Sequence, residues 1–167
     1  MPKVVITYNR HEAVLCAKKW AMSRNPLYYD FDSDGGDCTN FISQCLYAGS
    51  RIMNYTPIYG WYYIDANHHS PSWTGVKYLY NFLMTNKKEG VFGSETPTGS
   101  MQIGDVIQLG DEFNNFYHSL FIINIDGEPT PDNIYIATHT YDSYNRALST
   151  YSYHIHRCIH IDGVYKA

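Results

Sequence analysis

Apolar and polar positions change rhythm once along this chain, near Gly99. Before that point apolar residues recur at the spacing of a helix face; after it they alternate or run together as in buried strands. Asn9 is suited to cap a first helix, with Glu12 three residues on, as in a capping box. Ala13, Val14, Ala17, Trp20 and Ala21 give that helix its apolar face, and Asn25-Pro26 stops it. Phe41, Ile42, Cys45 and Leu46 mark one stripe of a second helix, with Gly49 as its left-handed stop. From Arg51 to Ser70 aromatics occur without a period, which predicts a long irregular loop with His68 and His69 in solvent. Ser70 starts another long helix through Val76, Leu79, Tyr80 and Leu83, closed near Gly90. Strands then follow at Gly104–Leu109, Tyr117–Ile125 and Ile134–His139, with turns such as Asp126-Gly127 between them, and a last strand runs from about Tyr151 to Ile161. Helices first and an antiparallel meander afterwards predict an α+β fold, with N-terminal helices packed on an antiparallel β-sheet in a single domain spanning 1–167.

Composition narrows the class. The chain has 167 residues, enough for a sizeable core, and 44% are hydrophobic, so it reads as globular. A net charge of −4 with scattered basic residues argues against a nucleic-acid partner. No apolar run reaches the length of a membrane span. Met1–Ile6 is too short for a signal peptide, so the sequence reads as cytoplasmic or as lacking an export segment. Cys16, Cys38, Cys45 and Cys158 form no CxxC pair, which argues against structural zinc and a disulfide scaffold. Asp30, Asp32, Asp34 and Gly35 look like the start of a calcium loop. Phe41 stands where the bidentate Glu would be needed, so a polar turn is the better reading. His154, His156, Cys158 and His160 share one face of the last strand, but ligands two apart on a strand rarely converge on one ion; no metal is expected.

The chemistry concentrates at Gly35-Gly36-Asp37-Cys38. Cys38 falls in the first turn of the second helix, where free N–H groups and the helix dipole favour a thiolate. That position predicts a depressed pKa and a nucleophile. His118 stands at the mouth of the apolar strand and is the candidate base; His139 ends the neighbouring strand, with Asp142 as a charged competitor for the orienting role. The backbone N–H of Cys38 and the hydroxyl of Tyr28 or Tyr29 are candidate oxyanion donors. Trp61 and Trp73 are candidate groove walls, while Asp37 and Asn40 are expected to brace the turn.

These blocks resemble the bacterial family called the "putative amidase domain", related to NlpC-type cell-wall peptidases and so to the papain-like superfamily. The resemblance runs through Tyr8-Asn9-Arg10, Asn25–Phe31, Gly36–Leu46, Ser72-Trp73, Gly104–Ile107, Tyr117-His118-Ser119 and His139-Thr140. It implies Cys38 as nucleophile, His118 as base and His139 as the third polar residue. It also implies a papain-like/NlpC-type sheet packed on the cysteine helix, amide hydrolysis without a cofactor, and a secreted or cell-surface setting. The expected substrate is a peptide or amide, by kinship peptidoglycan. The rival expectations are an acyltransferase using the same Cys/His site and a catalytically silent peptidoglycan- or glycan-binding module.

Overall fold

Asn9 does cap the first helix: its side-chain oxygen accepts from the N–H of Glu12, and Ala13, Val14 and Ala17 are the buried face. In the computed structural model, which describes residues 3–167, the chain runs β1 (Val4–Ile6), α1 (Arg10–Trp20), α2 (Cys38–Ser50), β2 (Tyr63–Asp65), β3 (His68–His69), α3 (Pro71–Thr74) and α4 (Val76–Thr85). It continues through β4 (Gly90–Thr96), β5 (Val106–Gly110), β6 (Phe116–Ile125), β7 (Ile134–Thr138), β8 (Ser143–Ala147) and β9 (Ile155–Lys166). The architecture is α+β with an antiparallel sheet. No helix among the described residues is long and apolar enough to cross a membrane.

Strands β5 to β8 form the expected meander, and β9 returns to pair with β5. On its other edge β9 pairs with β4 from Cys158 to Tyr165, while its last residues also take β1. Three strands escape the hydrophobic pattern. β1 is three residues long, β4 carries two glycines and few apolar residues, and β8 is the polar edge strand Ser-Tyr-Asn-Arg-Ala. Two helix ends also differ from expectation. Gly49 lies inside α2, and Arg51 takes the left-handed cap with φ 59°. Gly49 is needed for proximity: a Cβ there would stand 2.6 Å from the Tyr8 ring and 2.7 Å from the Asn9 carbonyl. The helix expected from Ser70 is split, because Gly75 adopts an extended backbone between α3 and α4.

The sheet separates two apolar clusters. α1, α2 and α4 cover one face, against Val106, Phe121, Ile123, Ala137, Ile159 and Ile161. The other face carries Ile107, Leu109, Leu120, Ile122, Ile136 and Cys158, closed by Met101 and Leu148. Alternation along β6 therefore sends Ser119, Phe121 and Ile123 toward the helices and Leu120 and Ile122 away, until the bulge after Ile122 brings Ile125 to the second cluster.

Trp61 and Trp73, expected as groove walls, are both fully buried on the helical side. The Trp61 indole donates to Ser43 Oγ at 3.0 Å and the Trp73 indole to Asn40 Oδ1 at 3.0 Å. They wedge the aromatic loop against α2 and present no surface to a substrate. His69 is likewise no solvent histidine; it packs against Phe31 and Tyr63.

Asp105 ties the N-terminal segment to the sheet. This fully buried carboxylate accepts from Arg10 Nη1 at 2.7 Å, the N–H of Gln102 at 2.9 Å, the N–H of Ile161 at 3.0 Å and His160 Nδ1 at 3.0 Å. Removing one partner of such a cluster strands the others without water. Asp105→Ala is expected to destabilise the protein by about 3–5 kcal/mol, read from urea denaturation midpoints.

Candidate active site

The turn before α2 is built by conformational necessity. Gly35 and Gly36 have φ of +95° and +103°, a region L side chains rarely adopt, and a Cβ on Gly36 would press on Thr140 Oγ1 at 3.4 Å. Asp37 follows with no exposed surface. Its Oδ1 accepts from the N–H of Phe31 and from Asn40 Nδ2, both at 2.8 Å, and its own N–H donates to Thr140 Oγ1 at 2.8 Å. Asn40 also donates to the Tyr29 carbonyl at 2.9 Å. Asp37 and Asn40 thus brace the turn.

His139 completes this brace. Its Nδ1 pairs with Asp37 Oδ2 and its Nε2–H donates to the Trp20 carbonyl at 2.7 Å, with the ring lying on Phe41. Both nitrogens are engaged, so His139 is not free to orient His118. Asp142, the expected competitor, makes a two-pronged pair with Arg24 and touches neither imidazole. Arg24 also reaches Asp30 at 3.2 Å and Asp37 at 3.4 Å, and pairs with Asp32. Asp30, Asp32 and Asp37 bring carboxylate oxygens within 4.8 Å of one another, the spacing a metal ion would use. The guanidinium of Arg24 already supplies positive charge among them.

Cys38 opens α2 as expected and keeps only 7% of its surface exposed. The backbone N–H of Ser119 and the hydroxyl of Thr39, 3.7 Å from Sγ, face the sulfur and favour its thiolate. Burial pushes the Cys38 thiol above its ordinary value; the bonds from Ser119 and Thr39 pull the other way without reversing it. The expected depression is therefore absent in this resting state, because desolvation outweighs what the helix start contributes. Behind the thiol a polar chain locks β6 to α2. Thr39 Oγ1 bonds Ser119 Oγ at 3.0 Å, and Gln108 Nε2 donates to Ser119 Oγ at 3.2 Å. The guanidinium of Arg157, clasped between Tyr80 and Phe116, donates to Gln108 Oε1 at 2.7 and 2.9 Å.

His118 pairs across the sheet with Leu109, so its ring leaves the face that carries α2. The ring lines a cavity of about 340 Å³ with Leu109, Thr140, Tyr141, Arg146 and Tyr151. Burial, then the nearby charge of Arg146, lower its pKa to about 4. Among the described residues no imidazole nitrogen lies within hydrogen-bonding distance of Cys38 Sγ. The two meet through the backbone instead: Ser119, whose N–H faces the sulfur, is the residue after His118.

Neither tyrosine proposed for the oxyanion faces the sulfur in this state. Tyr29 donates its hydroxyl to Asp34 at 2.6 Å. Tyr28 packs on Tyr63 and Trp73, lines a groove between α1 and α2, and is pushed by burial to about 12. Thr39 and Ser119 went unrecognised because short hydroxyls carry no pattern of their own. Arg146 and Tyr151 went unrecognised because a polar edge strand and its following turn give no periodic signal.

A model of the family described as "Putative amidase domain" matches residues 7–161. The uncharacterized protein YhbB of Bacillus subtilis (strain 168) is 33% identical over 145 residues, covering 85% of this chain and 44% of its own length. The chain thus spans less than half the length of that relative. No solved structure matches. A family match that takes in the braced turn, Cys38, His118 and His139 assigns the chain: it belongs to the "Putative amidase domain" family.

Proposed function

We propose that this chain is a cysteine-dependent amide hydrolase working through a thioester acyl-enzyme. The observation that carries the reading is the placement of Cys38 Sγ: at the first turn of α2, touching the N–H of Ser119, one residue from an imidazole that borders a cavity. Sγ attacks the amide carbon, the C–N bond breaks, and His118 carries the thiol proton to the departing amine. Water then cleaves the thioester and restores the thiol. The first turn of a helix leaves N–H groups without intrahelical partners, so the Cys38 N–H is available to the developing oxyanion. In the resting state thiol and imidazole are both neutral and apart. His118 leaves β6 on the face away from α2, so proton transfer between thiol and imidazole requires substrate in the cavity to rearrange the His118–Ser119 segment, as catalytic contacts often form only in the complex. His139 and Asp37 serve as positioning residues that hold the Cys38 turn.

Membership of an amidase family supports amide hydrolysis. An antiparallel sheet bearing the histidine, packed on the helix that begins with the cysteine, supports a papain-like, NlpC-related fold and by kinship a bacterial cell-wall peptide as substrate. The resting separation of Cys38 from every imidazole favours a second reading, a binding module that retains the groove without turnover. Intact-mass detection of an acyl adduct on Cys38 under substrate separates the two, since only the hydrolase forms it.

Cys38→Ala is expected to abolish hydrolysis with the melting temperature shifted by only a few degrees; turnover surviving in this variant ends the thiol mechanism. His118→Ala is expected to lower kcat by about 10²–10⁴-fold. Without substrate, carbamidomethylation of Cys38 by iodoacetamide, mapped by mass spectrometry, is expected to keep accelerating through pH 9, because burial raises the thiol's pKa.

Stability carries a matching signature. His118 drops from an ordinary 6.5 to about 4 in the fold. Between those values the unfolded chain binds a proton at this ring and the folded chain does not. Stability therefore declines as pH falls through that window, by up to about 3 kcal/mol. His118→Asn is expected to flatten this part of the profile, read from urea midpoints at neutral and acidic pH.

A further inference from the structure

The cavity beside His118 contains more than the proposed proton shuttle requires. Arg146, on β8, points its guanidinium into it. Arg10 is matched by Asp105 and Arg24 by four carboxylates, while Arg157 lies between two rings and spends its donors on the neutral Gln108. Arg146 has no carboxylate within 4.0 Å among the described residues. It is nevertheless held still. Its Nε donates to Thr150 Oγ1 at 2.8 Å, its Nη2 donates to the Thr150 carbonyl at 3.0 Å, and its plane lies 3.6 Å from the Tyr151 ring centre. Those bonds use one side of the guanidinium. The end-on pair of N–H groups, one on each Nη, keeps its hydrogens for an outside acceptor.

The Tyr151 ring lies beneath the guanidinium and lines the same cavity, while its hydroxyl is buried away from solvent without a partner in the protein. Around the guanidinium the walls are Leu109 and the rings of Tyr117 and Tyr141, and Tyr141 stands almost fully exposed at the rim. A fixed guanidinium fork between apolar walls describes a receptor for a small planar anion on an organic body. The volume, about 340 Å³, holds one or two amino-acid residues and excludes a folded partner.

We infer that Arg146 binds a free carboxylate of the substrate and so selects peptides or amides that carry an acidic end near the bond to be cut. This rests on the hydrolase reading for the word substrate, and on the cavity alone for the carboxylate. Thr140 connects the two. It lines the cavity, and its Oγ1 accepts the N–H of Asp37, the residue before Cys38. A ligand anchored at Arg146 lies between this strap and His118.

The test separates binding from turnover by using the Cys38→Ala variant of this chain. Two probes are titrated, N-acetyl-alanyl-alanine as the free acid and the same dipeptide as its C-terminal amide. The ring signals of His118 and the hydroxyl-bearing ring of Tyr151 are followed by NMR. The acid is expected to shift both sets and to bind at least about tenfold more tightly than the amide. Arg146→Gln is expected to erase that preference, Arg146→Lys to retain part of it, and Tyr151→Phe, which keeps the ring beneath the guanidinium, to leave it intact. If Arg146→Gln proves unfolded by circular dichroism, the lysine variant carries the same comparison. Equal binding of acid and amide, shifts confined to other residues, or inorganic phosphate displacing the acid at equal concentration would overturn the assignment. Hydrolysis by the wild type with no acid preference would sink the carboxylate site and leave the hydrolase standing. Acid-selective binding with no acyl adduct in the wild type would do the reverse.

Discussion

A buried carboxylate, Asp37, carries the geometry of the candidate centre. Four groups converge on it from four parts of the chain: the N–H of Phe31, Asn40 within α2, the His139 ring after β7, and Arg24 beyond α1. A charge with no solvent exposure survives only when such partners surround it. Because they come from the polar loop, the helix, the sheet and the first helix end, satisfying Asp37 sets their mutual positions. Cys38 is the next residue. Its location relative to β6 is therefore inherited from an ionic cluster that takes no part in bond making.

The same logic explains why the thiol and His118 rest in a neutral form. Each is buried enough that a charged form would be poorly solvated: burial raises the thiol and lowers the imidazole. The sheet separates them as well, since alternation along β6 aims Ser119 at α2 and His118 at the cavity. Thr39, Ser119, Gln108 and Arg157 tie the strand that carries His118 to α2 on one side and to β9 on the other.

The helical half was legible in detail where its signals are local. Asn9 and Glu12 marked the start of α1, and the stripe of Phe41, Ile42, Cys45 and Leu46 marked α2 with Cys38 at its head. In the sheet, β5, β6 and β7 stood out as apolar runs. β4 and β8 did not, because a glycine-bearing strand and a polar edge strand are held by their neighbours' ladders and not by their own side chains. Trp61 and Trp73 misled for the opposite reason. Bulky aromatics in an irregular loop suggest a ligand wall, yet here they fill the space between loop and helix with their indole N–H groups satisfied inside.

The chain by itself determined where α1 and α2 begin, that a cysteine heads the second, and that a sheet of apolar strands follows, since each depends on residues close in sequence. Only the tertiary structure decided which way each chemical group faces. His118 and His139 sit on adjacent strands, and whether they share a face depends on the register between β6 and β7, which shifts at a bulge after Ile122. The fate of the thiol's acidity and the company of Arg146 were decided the same way. Desolvation and cross-strand contact are properties of packed neighbours far apart in sequence, and local pattern carries no record of them.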